Sequence, residues 1–177
     1  RNINSKAALG HTRYSTIGHN DPNLLQPFLD YNTGVGLAHN GNIVNYYSLL
    51  ESESSLSNNI KIESDSALIL SLLINQLSNQ ETSCEQIFSA IETCTKKLVG
   101  SYAVLGLTKH GDIFGFRDPN GIRPLMLGKR QDKHGTVYGL ASEAIALSFL
   151  GFNDLEDIKA GEAIYIDADG KMTRKII

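Results

Sequence analysis

Between Ser64 and Leu98 the apolar residues recur at helical spacing, while on both sides they gather into short β-type runs cut by turn residues. That order, strands then two helices then strands, limits the chain to a few layered arrangements. Ser64-Asp65-Ser66 offer an N-cap to the run ALILSLLINQL, whose Leu68, Leu72 and Leu73 form one stripe. Cys84, Ile87, Phe88, Ile91 and Leu98 predict a second, adjacent helix over residues 84–98.

The flanking runs are read as strands. Residues 7–17, AALGHTRYSTI, predict a strand followed by a loop at Gly18, His19, Asn20, Asp21 and Pro22. Residues 35–39 predict a short strand ended by Asn40-Gly41, a pair that favours positive φ and a sharp change of direction, with a helix from Ile43 to Leu50 beyond it. The Ser- and Asn-rich stretch 51–59 reads as a solvated loop or insertion. Further on, SYAVLGLT and DIFGF form a hairpin across Lys109, His110 and Gly111. Strands are expected at 125–127 and 137–140, a short helix from Ser142-Glu143, and a last hairpin around Asp169-Gly170 within residues 162–176. The expected class is α+β, with helices packed on one or both faces of sheets.

At 177 residues the chain suits one domain with a substantial core. It is 41% apolar and 20% charged, contains no long uncharged apolar run, and carries a formal charge of −3. These values argue against a membrane span and against the clustered basic charge that nucleic acid requires, so a small-molecule substrate is expected. Two cysteines, Cys84 and Cys94, read as reduced thiols, and the compartment expected is the cytoplasm. The chain starts at Arg1 with no secretory leader, so it is expected to begin in mid-sequence.

Four clusters can carry chemistry. Arg13 in HTRYST either meets a carboxylate ligand bidentately or serves at the surface or in a structural ion pair. Asn40-Gly41 either supplies an amide and an unhindered N–H for an oxyanion hole or is simply a turn. Asp65 either caps a helix or receives a substrate ammonium group; with Arg13 it would then recognise an α-amino acid. In RDPNGIRPL an Asp-Pro-Asn-Gly turn lies between Arg117 and Arg123, whose roles the sequence leaves open between structure and contact with another domain. His11, His19, His39, His110 and His134 form no helical ligand pair and the cysteines no CxxC, so no metal is expected in this segment. Both cysteines fall on one amphipathic helix, where burial as small hydrophobes outweighs catalysis.

In order and spacing, GHTRYSTIG (10–18), LAHNGNIVN (37–45), SDS (64–66) and FRDPNGIRPL (116–125) resemble the amidophosphoribosyltransferase family of class II glutamine amidotransferases, over nearly the whole chain. The first three clusters occur more loosely in glucosamine-6-phosphate synthase, asparagine synthetase and glutamate synthase, which leaves such an enzyme, or a non-catalytic amino-acid-binding module, as the alternative. The resemblance implies an N-terminal nucleophile hydrolase fold, an αββα sandwich, here incomplete at its N-terminus. It implies that Arg13, assisted by Thr16, holds the glutamine α-carboxylate, that Asp65 takes the α-ammonium, and that Asn40 and the Gly41 backbone form the oxyanion hole. An N-terminal cysteine, matched by neither Cys84 nor Cys94, would attack the glutamine amide, so this stretch alone is expected to be inactive. The ammonia would pass to phosphoribosyl pyrophosphate in a second, phosphoribosyltransferase domain that is not in this chain and in which Mg2+ is expected. Further copies of the same protein are expected partners; any iron–sulfur cluster would be held elsewhere.

Overall fold

The computed structural model describes residues 5–12, 21–53, 64–77, 82–133 and 135–177. Its larger sheet has six antiparallel strands. In spatial order they are β1 (Phe28–Asp30), β2 (Val35–Ile43), β3 (Gly100–Leu107), β4 (Ile113–Arg117), β8 (Glu162–Ile166) and β9 (Met172–Ile176). A second sheet of three strands orders β6 (Gly135–Ala141), β5 (Met126–Asp132) and β7 (Asp154–Asp157). The helices are α1 (Tyr46–Ser52), α2 (Asp65–Ile74), α3 (Cys84–Thr95) and α4 (Ala144–Phe149).

Strand alternation sets the layers, because neighbouring side chains leave opposite faces of a sheet. From one face of the larger sheet Val35, Leu37, Ile43, Tyr102, Val104, Phe114, Phe116 and Tyr165 join Leu68, Ile69, Leu72 and Leu73 of α2 and Ile87, Phe88 and Ile91 of α3 in one core. The opposite face sends Ala103, Leu105, Ile113, Ile164 and Ile166 into a second core with Leu127 and Leu140 of the smaller sheet and Leu125 just before β5. Every residue of β8 is buried, as expected of a strand covered on both faces. Leu147 of α4 and the nearby Phe152 rest on Gly128 and Gly139, where added Cβ atoms would approach them to 2.8–3.2 Å. The result is a four-layer αββα sandwich, as expected, with α4 outermost on the small sheet.

Local sequence explains the start of α3. Ser83 accepts from Gln86 N at 3.3 Å while Gln86 Oε1 accepts from Ser83 N at 3.0 Å, so a reciprocal box fixes the start of α3. Burial on α2 extends well beyond the expected stripe to Ser66, Ile69, Leu70 and Ser71, because the helix lies between β1, β2 and α3.

Several expectations need correction. Residues 7–12 form no strand: β3 takes one edge of β2, and on the other Gln26 bonds both the N–H and the carbonyl of His39. The remainder of that expected strand, 13–17, lies outside the described residues. Asn40-Gly41 makes no turn, for β2 continues through it with Asn40 opposite Ala103 and Gly41 opposite Tyr102. Gly41 has φ of 145°, and a Cβ there would lie 1.9 Å from the Ser101 carbonyl oxygen. The pair was legible as a place for positive φ; the backbone uses it for close approach of β3 instead of reversal. The helix expected from Ile43 begins at Tyr46 and reaches Ser52, taking in the first two residues of the expected loop; residues 54–59 lie outside the described part. Two short strands, β1 and β7, carry no pattern strong enough to be read in advance.

Two buried polar groups govern the interior. Asp118, fully buried, accepts from the backbone N–H groups of Tyr102, Asn120, Ile122 and Arg123 at 3.0–3.2 Å. Beside it Arg117 donates to the carbonyls of Ile158 and Gly121 at 2.6 Å, so RDPNGIRP is a clip closed by its own side chains, and Arg117 is structural. His39 is only 5% exposed, and its Nε2 makes no hydrogen bond. Burial first, then the neighbouring charges of His11 and Arg123, lower its pKa from 6.5 to about 4.

Two predictions follow from these groups. Asp118→Ala strands the buried Tyr102 N–H and frees three partly buried ones, and should lower unfolding free energy by about 2 kcal/mol or more, read from urea titrations at pH 7; a loss below about 1 kcal/mol would mean that the clip stands without its carboxylate. His39 enters the folded state neutral, so the unfolded chain binds the extra proton between pH 6.5 and about 4. Its contribution is therefore complete above pH 6.5 and lost as pH falls toward 4, by up to about 3 kcal/mol. Urea unfolding at pH 7 and pH 4.5 should show the parent protein losing more stability than His39→Gln; parallel losses would show that His39 is not held neutral.

Candidate active site

The far end of β2 gathers most of the described candidates. Its register turns Asn40, with Ala103, toward the smaller sheet, while His39, with Val104, faces the helices. A cavity of about 600 Å³ opens between the sheets here, lined by His11, His39, Asn40, Leu125, Ser142 and Glu143 among others.

Asn40 is held from two sides. Its Oδ1 lies 2.9 Å from His11 Nε2, and its Nδ2 donates to Ser142 Oγ at 2.7 Å. The first partner belongs to the segment before β1, the second to the turn after β6, 102 residues away. His11 and Ser142 were not expected as site residues. His11 falls inside the HTRY cluster, but nothing in a sequence reveals that the loop after β6 reaches β2.

Asp65, expected either as a cap or as an ammonium receptor, does not cap its own helix. It occupies the first turn of α2, Ser64 makes no side-chain cap bond, and Asp65 Oδ2 accepts from Ile43 N at 2.9 Å. The carboxylate thus ties α2 to the end of β2, two residues beyond Gly41. Burial raises its pKa above the usual carboxylate range, and the Ile43 N–H opposes that rise. Asp65, distant in sequence from the neighbouring Asn40 and Gly41, is therefore brought to the same strand end. Arg13 and Thr16, the other expected glutamine contacts, lie outside the described residues.

The two thiols are elsewhere, on α3. Cys94 is buried and its thiol is pushed up to about 12 by desolvation; burial also raises Cys84, partly offset by a hydrogen bond with Thr173. Neither is poised as a thiolate. Among the described residues no group of three or more His, Cys, Asp or Glu side chains could hold a metal ion, and no helix is long and apolar enough to cross a membrane.

Residues 11–148 match the family model described as the glutamine amidotransferase domain. The chain is 39% identical over 175 residues to the amidophosphoribosyltransferase of Haemophilus influenzae, covering 96% of this chain and 35% of that protein. With the Saccharomyces cerevisiae amidophosphoribosyltransferase it shares 38% over 164 residues, 89% of this chain and 32% of the relative. The solved glutamine phosphoribosylpyrophosphate amidotransferase from B. subtilis, complexed with ADP and GMP, superposes with a TM-score of 0.70 at 32% identity, over 94% of this chain and 34% of that one. The chain thus spans about a third of the length of the relatives it matches. The αββα layers and the matched stretch from His11 to Ser148 agree: this chain belongs to the glutamine amidotransferase domain family.

Proposed function

We propose that this chain is the glutamine-hydrolysing part of an amidophosphoribosyltransferase, releasing ammonia that is transferred to phosphoribosyl pyrophosphate to give 5-phosphoribosylamine, the first step of de novo purine synthesis. The observation that carries the reading is the meeting of Asn40, Gly41 and Asp65 at the end of β2, in a chain whose relatives bear that enzyme's name. In this reading Arg13, with Thr16, pairs the substrate α-carboxylate and Asp65 pairs the α-ammonium. Asn40 Nδ2 and the Gly41 N–H receive the side-chain carbonyl oxygen.

The β2 edge supports the last assignment. His39 N donates to Gln26 Oε1 and Ile43 N to Asp65 Oδ2, both away from β3. Antiparallel alternation turns the Gly41 N–H to the same outer edge, midway between these two. A cysteine thiolate, which neither Cys84 nor Cys94 supplies in this reading, adds to the carbonyl carbon. Negative charge moves to the oxygen, where the two donors stabilise it. Collapse with a proton delivered to nitrogen expels ammonia, and water then cleaves the thioester to glutamate. The expected Mg2+ belongs to the phosphoribosyl pyrophosphate end of the protein; no residue described here is assigned to it. The protein acts in the cytoplasm and assembles with copies of itself.

The protein expressed from its complete reading frame should release glutamate from glutamine and pyrophosphate from phosphoribosyl pyrophosphate together; amination of a hexose phosphate instead would overturn the acceptor assignment. Asn40→Ala should lower glutamine-dependent kcat by roughly 10²–10³ with little change in KM, while synthesis from free ammonia persists. Asp65→Asn keeps an acceptor for the Ile43 N–H but removes the charge that meets the ammonium. Its kcat/KM for glutamine should fall about 10²-fold, chiefly through KM, with ammonia-dependent synthesis retained. An unchanged KM would return Asp65 to a purely structural tie.

A further inference from the structure

Asn40 has a single carbonyl oxygen and two amide protons, and the structure commits the oxygen and one proton. His11 Nε2 sits 2.9 Å from Oδ1, and Ser142 Oγ receives one Nδ2–H at 2.7 Å. With His11 in the tautomer that carries its proton on Nε2, Oδ1 is engaged by a ring N–H, and a half-turn of the amide would face that donor with another donor. The plane of the amide is thereby fixed, and the second Nδ2–H is the one left for a ligand. Neither partner comes from β2 or its neighbours in the larger sheet: one lies on the segment before β1, the other on the turn that links β6 to α4.

Resting on the oxyanion-hole reading of Asn40, we propose that His11 and Ser142 are positioning residues of glutamine hydrolysis: together they orient the Asn40 amide so that its remaining N–H points at the developing oxyanion. A donor that must meet charge present only in the transition state gains from being held before the reaction, since its reorientation then costs nothing at the barrier. The rival role is a weld between sheets, since the Asn40–Ser142 bond also joins the two layers. A weld would affect stability and every activity alike.

The test uses the protein expressed from its complete reading frame, with glutamine-dependent and ammonia-dependent synthesis and thermal unfolding measured on each variant. His11→Phe and Ser142→Ala should each lower glutamine-dependent kcat between about tenfold and a hundredfold, with KM within about threefold and ammonia-dependent synthesis within about twofold of the parent. Ser142→Thr, which keeps the acceptor, should restore kcat to within a few-fold. In an Asn40→Ala background, Ser142→Ala should cause no further loss of kcat, because the group it orients is gone. Equal loss of both activities with a lowered melting temperature would overturn the proposal in favour of the weld, as would full additivity with Asn40→Ala. Undiminished kcat in both single variants, with Asn40→Ala still impaired, would refute the positioning role and leave the oxyanion-hole reading standing. Undiminished kcat in Asn40→Ala would remove both.

Discussion

Close approach of β3 to Gly41 underlies the rest of the site. A side chain at position 41 would place its Cβ 1.9 Å from the Ser101 carbonyl oxygen, at a φ that other residues rarely adopt. Because that side chain is missing, β2 stays paired through Asn42 and Ile43 and does not peel away after His39. Everything placed at the strand end then follows. Asn40 falls on the face toward the small sheet, within reach of Ser142, and Ile43 N reaches the Asp65 carboxylate at the start of α2. A turn at Asn40-Gly41 would have separated these groups.

The same pair shows what the sequence could and could not disclose. Positive φ at Gly41 was legible from the Asn-Gly dipeptide, but whether it serves reversal or close approach depends on a strand 60 residues away. The α3 helix, the β3–β4 hairpin and the β8–β9 hairpin were readable because their determinants are local: apolar residues at helical spacing, a Lys-His-Gly turn, an Asp-Gly turn. The stripe of α2 was readable, yet its burial on further sides was not, since that depends on packing against β1, β2 and α3. Residues 7–12 carry β-type side chains without a free ladder to join, and propensity without a partner edge does not make a strand.

Similarity of motif and participation in chemistry separate in RDPNGIRPL. This segment marks the resemblance most specifically, yet its Asp118 is consumed by four backbone N–H groups and its Arg117 by carbonyls. Asp118 also bonds Tyr102 N, across β3 from Gly41, so the clip supports the strand that the site requires without facing a ligand. The contacts of Asn40 with His11 and Ser142 could not be read in the sequence, even though His11 lies within a motif, because they join separate layers.

Electrostatics at the strand end favours anionic chemistry. His39 is kept neutral by burial and by the nearby charges of His11 and Arg123, so the interior side of β2 adds no full charge of its own close to the Asn40 amide. An oxyanion forming at Asn40 and Gly41 in the proposed reading would be stabilised by oriented dipoles, which require no proton movement when the charge appears. Asp65, whose burial works against ionisation, gains from a cationic partner, and a substrate ammonium in contact with it would pull its pKa back down. Ligand and carboxylate thus favour each other's charged forms. In the proposed reading the dipoles of Asn40 and Gly41 meet the negative charge that develops on the glutamine side chain, and the Asp65 carboxylate meets the substrate ammonium group.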